Sequence, residues 1–570
     1  MGMFVCSCKS ELKDGDYNIE LYSQHDIHGR FFDSLYVGNS EHPASVANIS
    51  AFIKERRNIS GKENVILIDN GDNLQGDNAA YFFNYVYDYS KDEDNRHLFS
   101  KIVDYIGYDA VIVGNHDIET GHNIYDRIKR ELKVPYLAAN AIDVSTNKAY
   151  FDEYTIINKN GIKVAVIGMT NPNIKKWLGE DLWKGIDFYP IKNIADSLII
   201  NIKHKENPQI IILAIHAGLG ENDSTDIENP ALYLASTLQG IDAVIASHDH
   251  KEYCGKVFNG VDSVLVVDGG ARGNYLSGIN IKLKVVGGKV IDKEIVGSII
   301  KMKNTPKDVE YLTHFRDEFD KVKSFTNKKV GELDKDIFTK EAYFGSSDYI
   351  NFLHTIQLDA SNADFSIVAP LTYNGIIKKG EINYNSLFVI YPFENQLYKI
   401  KLTGKQIKHY LEFSYNNWVN TVAKKGDHIL KINFNPDKNK YNFTEPFFNF
   451  DALSGLDYKV DVTKPYGEKI VVKELLDGRE FKENQEYTVA ITSYRANGGG
   501  DLLEKGAGIS PDNFDAIIVE KFQDIRTLIY NFFSAGKKID LENISKWEFV
   551  PKSIVNEGLE RDSLLLFGDK

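Results

Sequence analysis

The feature that most constrains the fold is a series of short, β-branched apolar runs in the first half of the chain. Stretches with helical periodicity separate these runs, and Gly, Asn, Asp or Pro bounds each of them. This pattern is typical of buried strands connected by helices. It predicts an α/β fold with strands at residues 17–22, 64–69, 108–113, 163–168, 208–215, 241–246 and 262–268.

The length of the chain, 570 residues, exceeds what one ordinary hydrophobic core accommodates. Residues 305–330 are highly charged with apolar residues at helical spacing, and Thr305-Pro306 is a plausible helix start. We therefore expect a first domain at 15–304, a linker helix at 305–330 and a second α/β domain at 331–540. Residues 1–14 and 541–570 are expected to be terminal tails.

The charge balance limits the partners. The formal net charge is -14, which argues against binding a nucleic-acid polymer, because such binding needs a basic face. A small nucleotide remains compatible, since bound metal ions can reverse the local charge of a site. No stretch approaches the roughly 20 apolar residues needed to span a bilayer.

The three cysteines, Cys6, Cys8 and Cys254, form neither a disulfide framework nor a zinc-finger spacing. Val5-Cys6-Ser7-Cys8 is similar to the end of a bacterial lipoprotein signal, in which Cys8 would carry the lipid. The alternative is a chance pair of cysteines near the terminus.

Polar clusters follow the predicted strands. The carboxyl ends of strands gather at one edge of an open α/β sheet, so clusters distant in sequence can converge. Adjacent glycines allow the backbone to turn sharply. The clusters are Gln24–Gly29, Gly71–Asn73, Gly114–Asp117, Asn140, His216–Gly218 and Ser247–His250.

The residue types in these clusters suit divalent metal ions. Imidazole and carboxylate together fit Mn, Fe, Zn or Co, whereas an all-oxygen set fits Mg or Ca better. Two ions about 3.5–4 Å apart can hold a phosphoryl group and activate water. A lone Asp-x-His or His-x-His is a weak signal, but six clusters in this order predict a dinuclear metal centre.

The motifs D-x-H-G, G-D, G-N-H-D, H-x-G and H-x-H resemble the signature of the calcineurin-like metallophosphoesterases. The resemblance implies an αββα sandwich that binds two divalent ions, which could be Mn, Zn, Fe, Co or Mg. It implies one ion at Asp26, His28 and His250, another at Asn115, His216 and His248, and Asp72 as the bridge. His116 resembles the catalytic histidine of the family, with Glu119 as the carboxylate that orients it and Asp117 as the competing candidate.

The second half resembles the C-terminal domain of the bacterial 5'-nucleotidase and 2',3'-cyclic-nucleotide 2'-phosphodiesterase/3'-nucleotidase family. LFVIYPFENQLYKIKLTG (387–404) and ITSYRANGGGD (491–501) carry this resemblance, and residues 411–418 and 450–470 favour the cyclic-nucleotide branch. Their spacing alone favours Phe393 and Tyr494 as core aromatic residues over ligand contacts. The resemblance implies instead that they sandwich a base and that other residues contact the substrate, namely Asn140, Asn395, Asn497, Gly498 and Gly499.

The chain has no arginine between Arg316 and Arg479, where the 5'-nucleotidase branch places arginines that hold phosphate. We therefore expect a 2',3'-cyclic-nucleotide 2'-phosphodiesterase/3'-nucleotidase, with the site in a cleft between the domains. The alternatives are a 5'-nucleotidase or nucleotide-sugar hydrolase, a protein phosphatase, and a non-catalytic nucleotide-binding receptor at the cell surface. The resemblance implies a periplasmic or cell-surface location.

Overall fold

A computed structural model describes residues 12–36, 41–91, 94–393, 395–436, 439–539, 541–542 and 544–568. The chain forms two compact units. The first holds the residues up to 175 and 180–325, and the second holds 176–179 and the residues from 326 onward. Cys8, the predicted lipidation site, lies outside the described residues.

Two six-stranded sheets form the centre of the first unit. In the first sheet, four parallel strands continue into two antiparallel strands at one edge. Its order is Lys289–Lys301, Tyr275–Val286, Gly15–Gln24, Val65–Asp69, Ala110–Ile112 and Tyr136–Leu137. In the second sheet the order is Glu252–Phe258, Ser263–Gly269, Ala243–Ala246, Ile210–His216, Ile162–Thr170 and Tyr154–Lys159.

The two sheets pack face to face because their central strands are apolar on both sides. Ile210 and Ile212 point into the core between the sheets, where they join Ile66 and Ile68 of the first sheet. The alternate residues of the same strand, such as Ile211, pack on the outer side. All seven strands predicted from the sequence are present, which confirms the α/β class.

Helices cover the outer faces and complete the predicted αββα sandwich. Ile191–Glu206 and Ala231–Thr237 cover the second sheet. Val46–Ser60 packs on the first sheet through Ile49 and Ile53. Further helices of this unit include Asn78–Tyr81, Leu98–Ile106, Asn115–Ile118, His122–Glu131 and Glu180–Trp183. The small strands Ala141–Asp143, Lys148–Ala149 and Ile186–Phe188 form a third sheet.

Residues 305–330 do not form one linker helix. They contain two short helices, Val309–His314 and Arg316–Thr326, and most of this segment belongs to the first unit. Tyr311 is fully buried, and its hydroxyl donates to the carbonyl of Phe31. Asp308 caps the first helix and accepts a hydrogen bond from Ser50 Oγ. The first unit therefore extends to about residue 325 instead of ending at 304.

The second unit is built on a five-stranded sheet. Its order is Ala452–Ser454, Phe365–Val368, Glu486–Thr492, Gln396–Thr403 and Ile518–Asp524. The helices of this unit are Asp348–Ser361, Tyr384–Ile390, Gly404–Trp418, Ser493–Ala496, Phe514–Ile517, Ile525–Ser534 and Lys552–Phe567. Paired strands are Lys329–Leu333 with Gly380–Asn383, Ile337–Phe338 with Ile376–Ile377, and Ile432–Asn435 with Lys440–Phe443.

The segment expected to be a C-terminal tail is part of this fold. Lys546–Val550 joins a three-stranded sheet with Leu456–Asp461 and Ile470–Leu475. Trp547 and Phe549 are buried in the core of the unit. The sequence does not predict this part of the fold, because the strand is short and the following helix buries only three residues. Among the described residues, no helix combines the length and hydropathy required to cross a membrane.

Candidate active site

The strand ends of both sheets deliver the predicted metal ligands to one place. Asp26 and His28 follow the strand Gly15–Gln24, and the other ligands follow or end their own strands. Two groups result, in which the ligand atoms lie within 4.8 Å of one another: Asp26, His28 and His250, and then Asp72, His216 and His248. Asn115 Oδ1 lies 2.9 Å from His248 Nδ1, which brings this residue to the second group.

The distances within these groups suit bound cations. His28 Nε2 lies 3.0 Å from His250 Nε2, and His216 Nε2 lies 3.0 Å from Asp72 Oδ2. Asp26 Oδ1 stands between the groups, 3.5 Å from His250 Nε2 and 3.9 Å from His216 Nε2. Among the described residues, Asp26 Oδ1 and His216 Nε2 are buried without a well-formed hydrogen bond. Converging nitrogen and oxygen atoms of this kind fit a divalent metal at each group.

The carboxylates of the centre are held ionised. Burial raises the pKa of Asp26, but the hydrogen bond and charge of His250 and the charge of His216 outweigh it and hold that pKa at about 2. Burial likewise opposes ionisation of Asp72, yet the charges of His216 and His116 keep its pKa well below the usual range. Two buried negative charges a few ångströms apart favour cations between them.

Backbone strain is concentrated at this centre. Five of the seven candidate ligands adopt a positive φ, namely Asp26 (45°), His28 (50°), Asp72 (58°), His248 (81°) and His250 (56°). A residue other than glycine in this region costs about 1–3 kcal/mol and persists only where the surrounding structure enforces it. Space is also tight, since a Cβ on Gly114 would lie 2.1 Å from Asp72 Oδ1.

Contacts on the far side of the imidazoles determine which nitrogen faces a metal. His28 Nδ1 lies 3.1 Å from the carbonyl of Gln75, and His216 Nδ1 lies 2.7 Å from that of Asn70. Both rings therefore present Nε2 to the centre. His248 has the opposite orientation, with Nδ1 towards Asn115 and Nε2 3.5 Å from Glu228 Oε1. Glu228 carries no sequence signal, because it is one of several acidic residues in a polar loop.

His116 lies beside the metal ligands. Its backbone amide donates to Asp72 Oδ1 (2.8 Å), and its Nδ1 lies 2.5 Å from Glu119 Oε2. Burial lowers the pKa of His116, but the negative charges of Asp72 and Glu119 outweigh burial and raise it to about 9. Nδ1 is thus engaged by Glu119, which leaves Nε2 for a reacting group.

Asp117, the alternative candidate for orienting His116, contacts backbone amides instead. Its carboxylate accepts hydrogen bonds from the backbone amides of Gly114 (2.9 Å), Asn73 (2.9 Å) and Asp72 (3.1 Å). These bonds tie the turn after one strand to the turn after its neighbour. Asp117 therefore braces the ligand loops, and Glu119 is the residue in contact with the imidazole.

Asn140 also differs from its expected role as a substrate contact. Its Nδ2 donates to the carbonyls of Thr170 (2.8 Å) and Tyr189 (2.9 Å), and its Oδ1 accepts from the amide of Thr170 (2.8 Å). The residue is fully buried. The side-chain amide of Asn140 joins two backbone segments and uses both of its N–H groups, so no donor is left for a ligand.

The residues expected to bind the nucleoside lie in the second unit. Phe393 is half-buried and meets Phe448 edge-on, with ring centroids 6.2 Å apart. Asn395 Nδ2 donates to the hydroxyl of Tyr391 (3.1 Å). Asn497 Nδ2 is buried and has no hydrogen-bond partner among the described residues, so it could donate to a ligand.

The glycine loop packs closely around Tyr494. A Cβ on Gly499 would lie 2.5 Å from the Tyr494 ring, and one on Gly498 would lie 2.6 Å from the Phe514 ring. Gly498 has a φ of 98°, a conformation that favours glycine. The absence of a side chain thus leaves room for the Tyr494 ring at Gly499 and for the Phe514 ring at Gly498.

Arg495 holds this region together and was not singled out from the sequence. Its guanidinium forms a buried bidentate pair with Asp451, through bonds of 2.8 and 2.9 Å. It also donates to the carbonyls of Gly499 (3.1 Å) and Phe448 (2.5 Å). Arg495 thus links the glycine loop to the segment that carries Phe448.

Comparison with known proteins places both units in described families. Residues 26–252 match the calcineurin-like phosphoesterase family, and residues 329–505 match the 5'-nucleotidase C-terminal domain. The trifunctional nucleotide phosphoesterase protein YfkN of Bacillus subtilis is 26% identical over 97% of this chain. The match covers 40% of that relative, so the chain spans less than half of its length.

Other relatives match over most of their length. The 2',3'-cyclic-nucleotide 2'-phosphodiesterase/3'-nucleotidase of Salmonella typhimurium is 23% identical, over 86% of this chain and 84% of the relative. A crystal structure of a putative 5'-nucleotidase from Staphylococcus aureus, in complex with alpha-ketoglutarate, shares the fold with a TM-score of 0.76. That structure is 21% identical and covers 93% of this chain and 99% of its own. The chain therefore combines a domain of the calcineurin-like phosphoesterase family with a 5'-nucleotidase C-terminal domain.

Proposed function

We propose that this chain opens 2',3'-cyclic nucleotides to 3'-monophosphates and then releases nucleoside and phosphate. The observation that carries the chemistry is the pair of ligand groups at Asp26 and Asp72 with His116 beside them. Relatives named for this activity in Salmonella typhimurium and Haemophilus influenzae support the branch. The absence of arginine between Arg316 and Arg479 supports it as well.

Metal ions at the two groups would polarise the phosphoryl oxygens and lower the pKa of water. Asp26 and Asp72 supply the negative charge that retains the ions, and the backbone contacts of His28 and His216 aim their Nε2 atoms. Glu119 holds the His116 ring through Nδ1, so Nε2 can carry a proton towards the substrate. Although burial lowers the pKa of His116, the charges of Asp72 and Glu119 raise it, which favours the protonated imidazole.

The first step adds water to phosphorus and breaks the bond to the 2' oxygen. The proton from His116 Nε2 goes to the departing 2' oxygen, and the proton lost by water restores the histidine. The product is a 3'-monophosphate with a free 2' hydroxyl. A second water then breaks the bond to the 3' oxygen in the same way, releasing phosphate and the nucleoside.

The second unit supplies recognition of the nucleoside in this proposal. Phe393 and Tyr494 offer aromatic faces to the base, each worth about 1–3 kcal/mol when a base stacks on it. Asn497 Nδ2 and Asn395 supply polar contacts. The buried Arg495–Asp451 pair stabilises the loop that carries Tyr494 and Asn497.

The test is release of nucleoside and phosphate from 2',3'-cyclic AMP, 3'-AMP and 5'-AMP after EDTA treatment, with and without added Mn²⁺. We expect metal-restored turnover of the first two substrates and poor turnover of 5'-AMP. If 5'-AMP is the best substrate, the chain is a 5'-nucleotidase and the branch is wrong. If no metal restores turnover of any substrate, the chain is a receptor that binds nucleotides without hydrolysing them.

We also infer a periplasmic or cell-surface location, with a lipid on Cys8. The nucleotide substrates named for the relatives and the Val5–Cys8 motif support this inference. Metabolic labelling with a palmitate analogue should mark the full-length chain and not a Cys8→Ser variant, with Cys6→Ser as the matched control. Equal labelling of wild type and Cys8→Ser would contradict lipidation at Cys8.

A further inference from the structure

Arg30 and Arg272 lie next to the metal ligands of the first unit, and no motif or comparison gives them a role. Arg30 follows the ligand His28 by two residues, and its Nη1 donates to the carbonyl of Arg272 (3.2 Å). The amide of Arg272 donates to the carbonyl of the ligand Asp26 (2.8 Å). We call Arg30, Arg272 and the nearby His42 the arginine cluster.

The backbone holds this cluster in place. Arg272 has a φ of 60°, a conformation that side chains other than glycine rarely adopt. The neighbouring Gly273 lies so close to Ser45 that an added Cβ would be 3.2 Å from its backbone. The carbonyl of Arg30 accepts from the amide of Val46, the first residue of a helix. Arg272 is therefore fixed beside the metal centre although its side chain is exposed.

The carboxylates of Asp77 and Asp26 attract Arg272 without forming an ion pair with it in the described residues. Within the described parts of the chain, neither Arg30 nor Arg272 forms an ion pair with a carboxylate. Asp33, the acidic residue closest in sequence to Arg30, is paired with Lys307 at 2.9 Å. Asp77 attracts both arginines at longer range, but it is buried and accepts a hydrogen bond from the amide of Ala79.

The members of the cluster are close enough to affect one another. Burial lowers the pKa of His42, and the positive charges of Arg30 and Arg272 lower it further, to about 4. The imidazole is therefore neutral at pH 7 and can form hydrogen bonds without adding charge. Two guanidiniums without carboxylate partners match a phosphate group, which Arg binds with two parallel hydrogen bonds.

We propose that the arginine cluster binds a second phosphate group of the substrate, beside the phosphoester that the metal centre hydrolyses. This inference rests on the proposed nucleotide hydrolysis and extends it to substrates that carry two phosphates. The second phosphate would be attached elsewhere on the ribose, as in a nucleoside 3',5'-bisphosphate, whose 3' phosphoester is the bond that the proposed function cleaves.

The experiment compares kcat and KM for 3'-AMP and adenosine 3',5'-bisphosphate in the Mn²⁺-loaded wild type, Arg272→Gln and Arg30→Gln. In each variant, we expect KM for a two-phosphate nucleotide to rise relative to KM for 3'-AMP by about tenfold, the effect of one charged hydrogen bond. Arg316→Gln is the matched control, because Arg316 is exposed and forms an ion pair with Asp320 in its own helix.

A direct binding measurement separates this inference from the proposed function. Titration calorimetry with inorganic pyrophosphate on EDTA-treated protein should show binding to wild type and Arg316→Gln, weakened about tenfold by either cluster variant. If wild type hydrolyses no nucleotide, the proposed function fails and this titration alone decides on the cluster. Equal KM changes for 3'-AMP and the two-phosphate nucleotide, or equal pyrophosphate affinity in all four proteins, would overturn the assignment.

Discussion

At the scale of single residues, the metal ligands are easy to recognise from the sequence and their supporting partners are not. Asp26, His28 and His216 stand directly at the ends of apolar strands, so the pattern of the strands fixes where they gather. Glu228 reaches the centre from the loop between a strand and a helix. Its contact with His248 depends on how that loop folds, which no local pattern encodes.

Glu228 leads to a prediction about metal affinity. Its carboxylate lies 3.5 Å from His248 Nε2 and would accept the proton of that nitrogen, so that Nδ1 faces the metal. Glu228→Gln should weaken metal binding about 10–100-fold, the usual effect of losing such a partner. The measurement is the Mn²⁺ concentration that restores half-maximal turnover after EDTA treatment. Glu221→Gln, an exposed change in the same loop, should keep the wild-type value. If Glu228→Gln also keeps that value, Glu228 does not support His248 as a metal ligand.

Asp72 leads to a prediction about turnover. Its carboxylate contacts His216 Nε2 (3.0 Å) and the amide of His116 (2.8 Å), so it joins a candidate metal ligand to the proposed catalytic histidine. Asp72→Ala should reduce kcat by about a thousandfold or more, because metal ions contribute several kcal/mol to the transition state. The bound metal, measured by elemental analysis, should fall in parallel. Substantial residual turnover would contradict the metal assignment, and Asp88→Ala, an exposed change, serves as control.

At the scale of elements, the sequence predicts buried strands well and half-exposed strands poorly. The seven strands proposed from apolar runs are all present, because strands buried on both faces have continuous apolar sequence. Lys289–Lys301 and Glu252–Phe258 were not predicted. Both strands lie at sheet edges, and charged, exposed residues recur along them. Their assignment depends on pairing with neighbours that are themselves identified only in the folded chain.

The glycine loop leads to a prediction at this scale. In Gly499→Ala the new Cβ would meet the Tyr494 ring at 2.5 Å, so the ring must move. We expect KM for 3'-AMP to rise about tenfold relative to KM for p-nitrophenyl phosphate, because only the nucleotide stacks on the ring. Tyr494→Ala should show the same selective change. If Tyr494→Ala affects both substrates equally, the tyrosine is a core residue and not a base contact.

At the scale of the whole molecule, the sequence identifies two domains but places their limits incorrectly. The charged segment after residue 305 has the composition of a linker, yet Tyr311 and Phe315 anchor it in the first unit. The last residues lack strong periodicity, yet Asp562 accepts hydrogen bonds from the amides of Ile429 and Leu430. Both errors have one cause, since a few buried side chains decide where a segment packs while its average composition stays polar.

A buried histidine in each unit leads to a prediction about stability and pH. Burial lowers the pKa of His97 in the first unit and of His354 in the second to about 3 each. The unfolded chain binds a proton near pH 6.5, so both groups favour unfolding once the pH falls below that value. Their contribution to folding is intact above about pH 7 and is lost progressively from pH 6.5 towards pH 3. At pH 5.5 the loss should be about 1.4 kcal/mol for each histidine.

Variants separate this effect from the titration of other groups. Urea unfolding between pH 5 and pH 8 should show that the stability of wild type falls more steeply with acid than that of His354→Gln. Below pH 6, the slopes of unfolding free energy against pH for the two proteins should differ by nearly one bound proton. This difference should appear in the unfolding transition of the second unit. His97→Gln should change the first unit in the same way, while His204→Gln, an exposed change, should keep the wild-type slope. Parallel profiles for wild type and His354→Gln would show that His354 does not remain neutral in the folded protein.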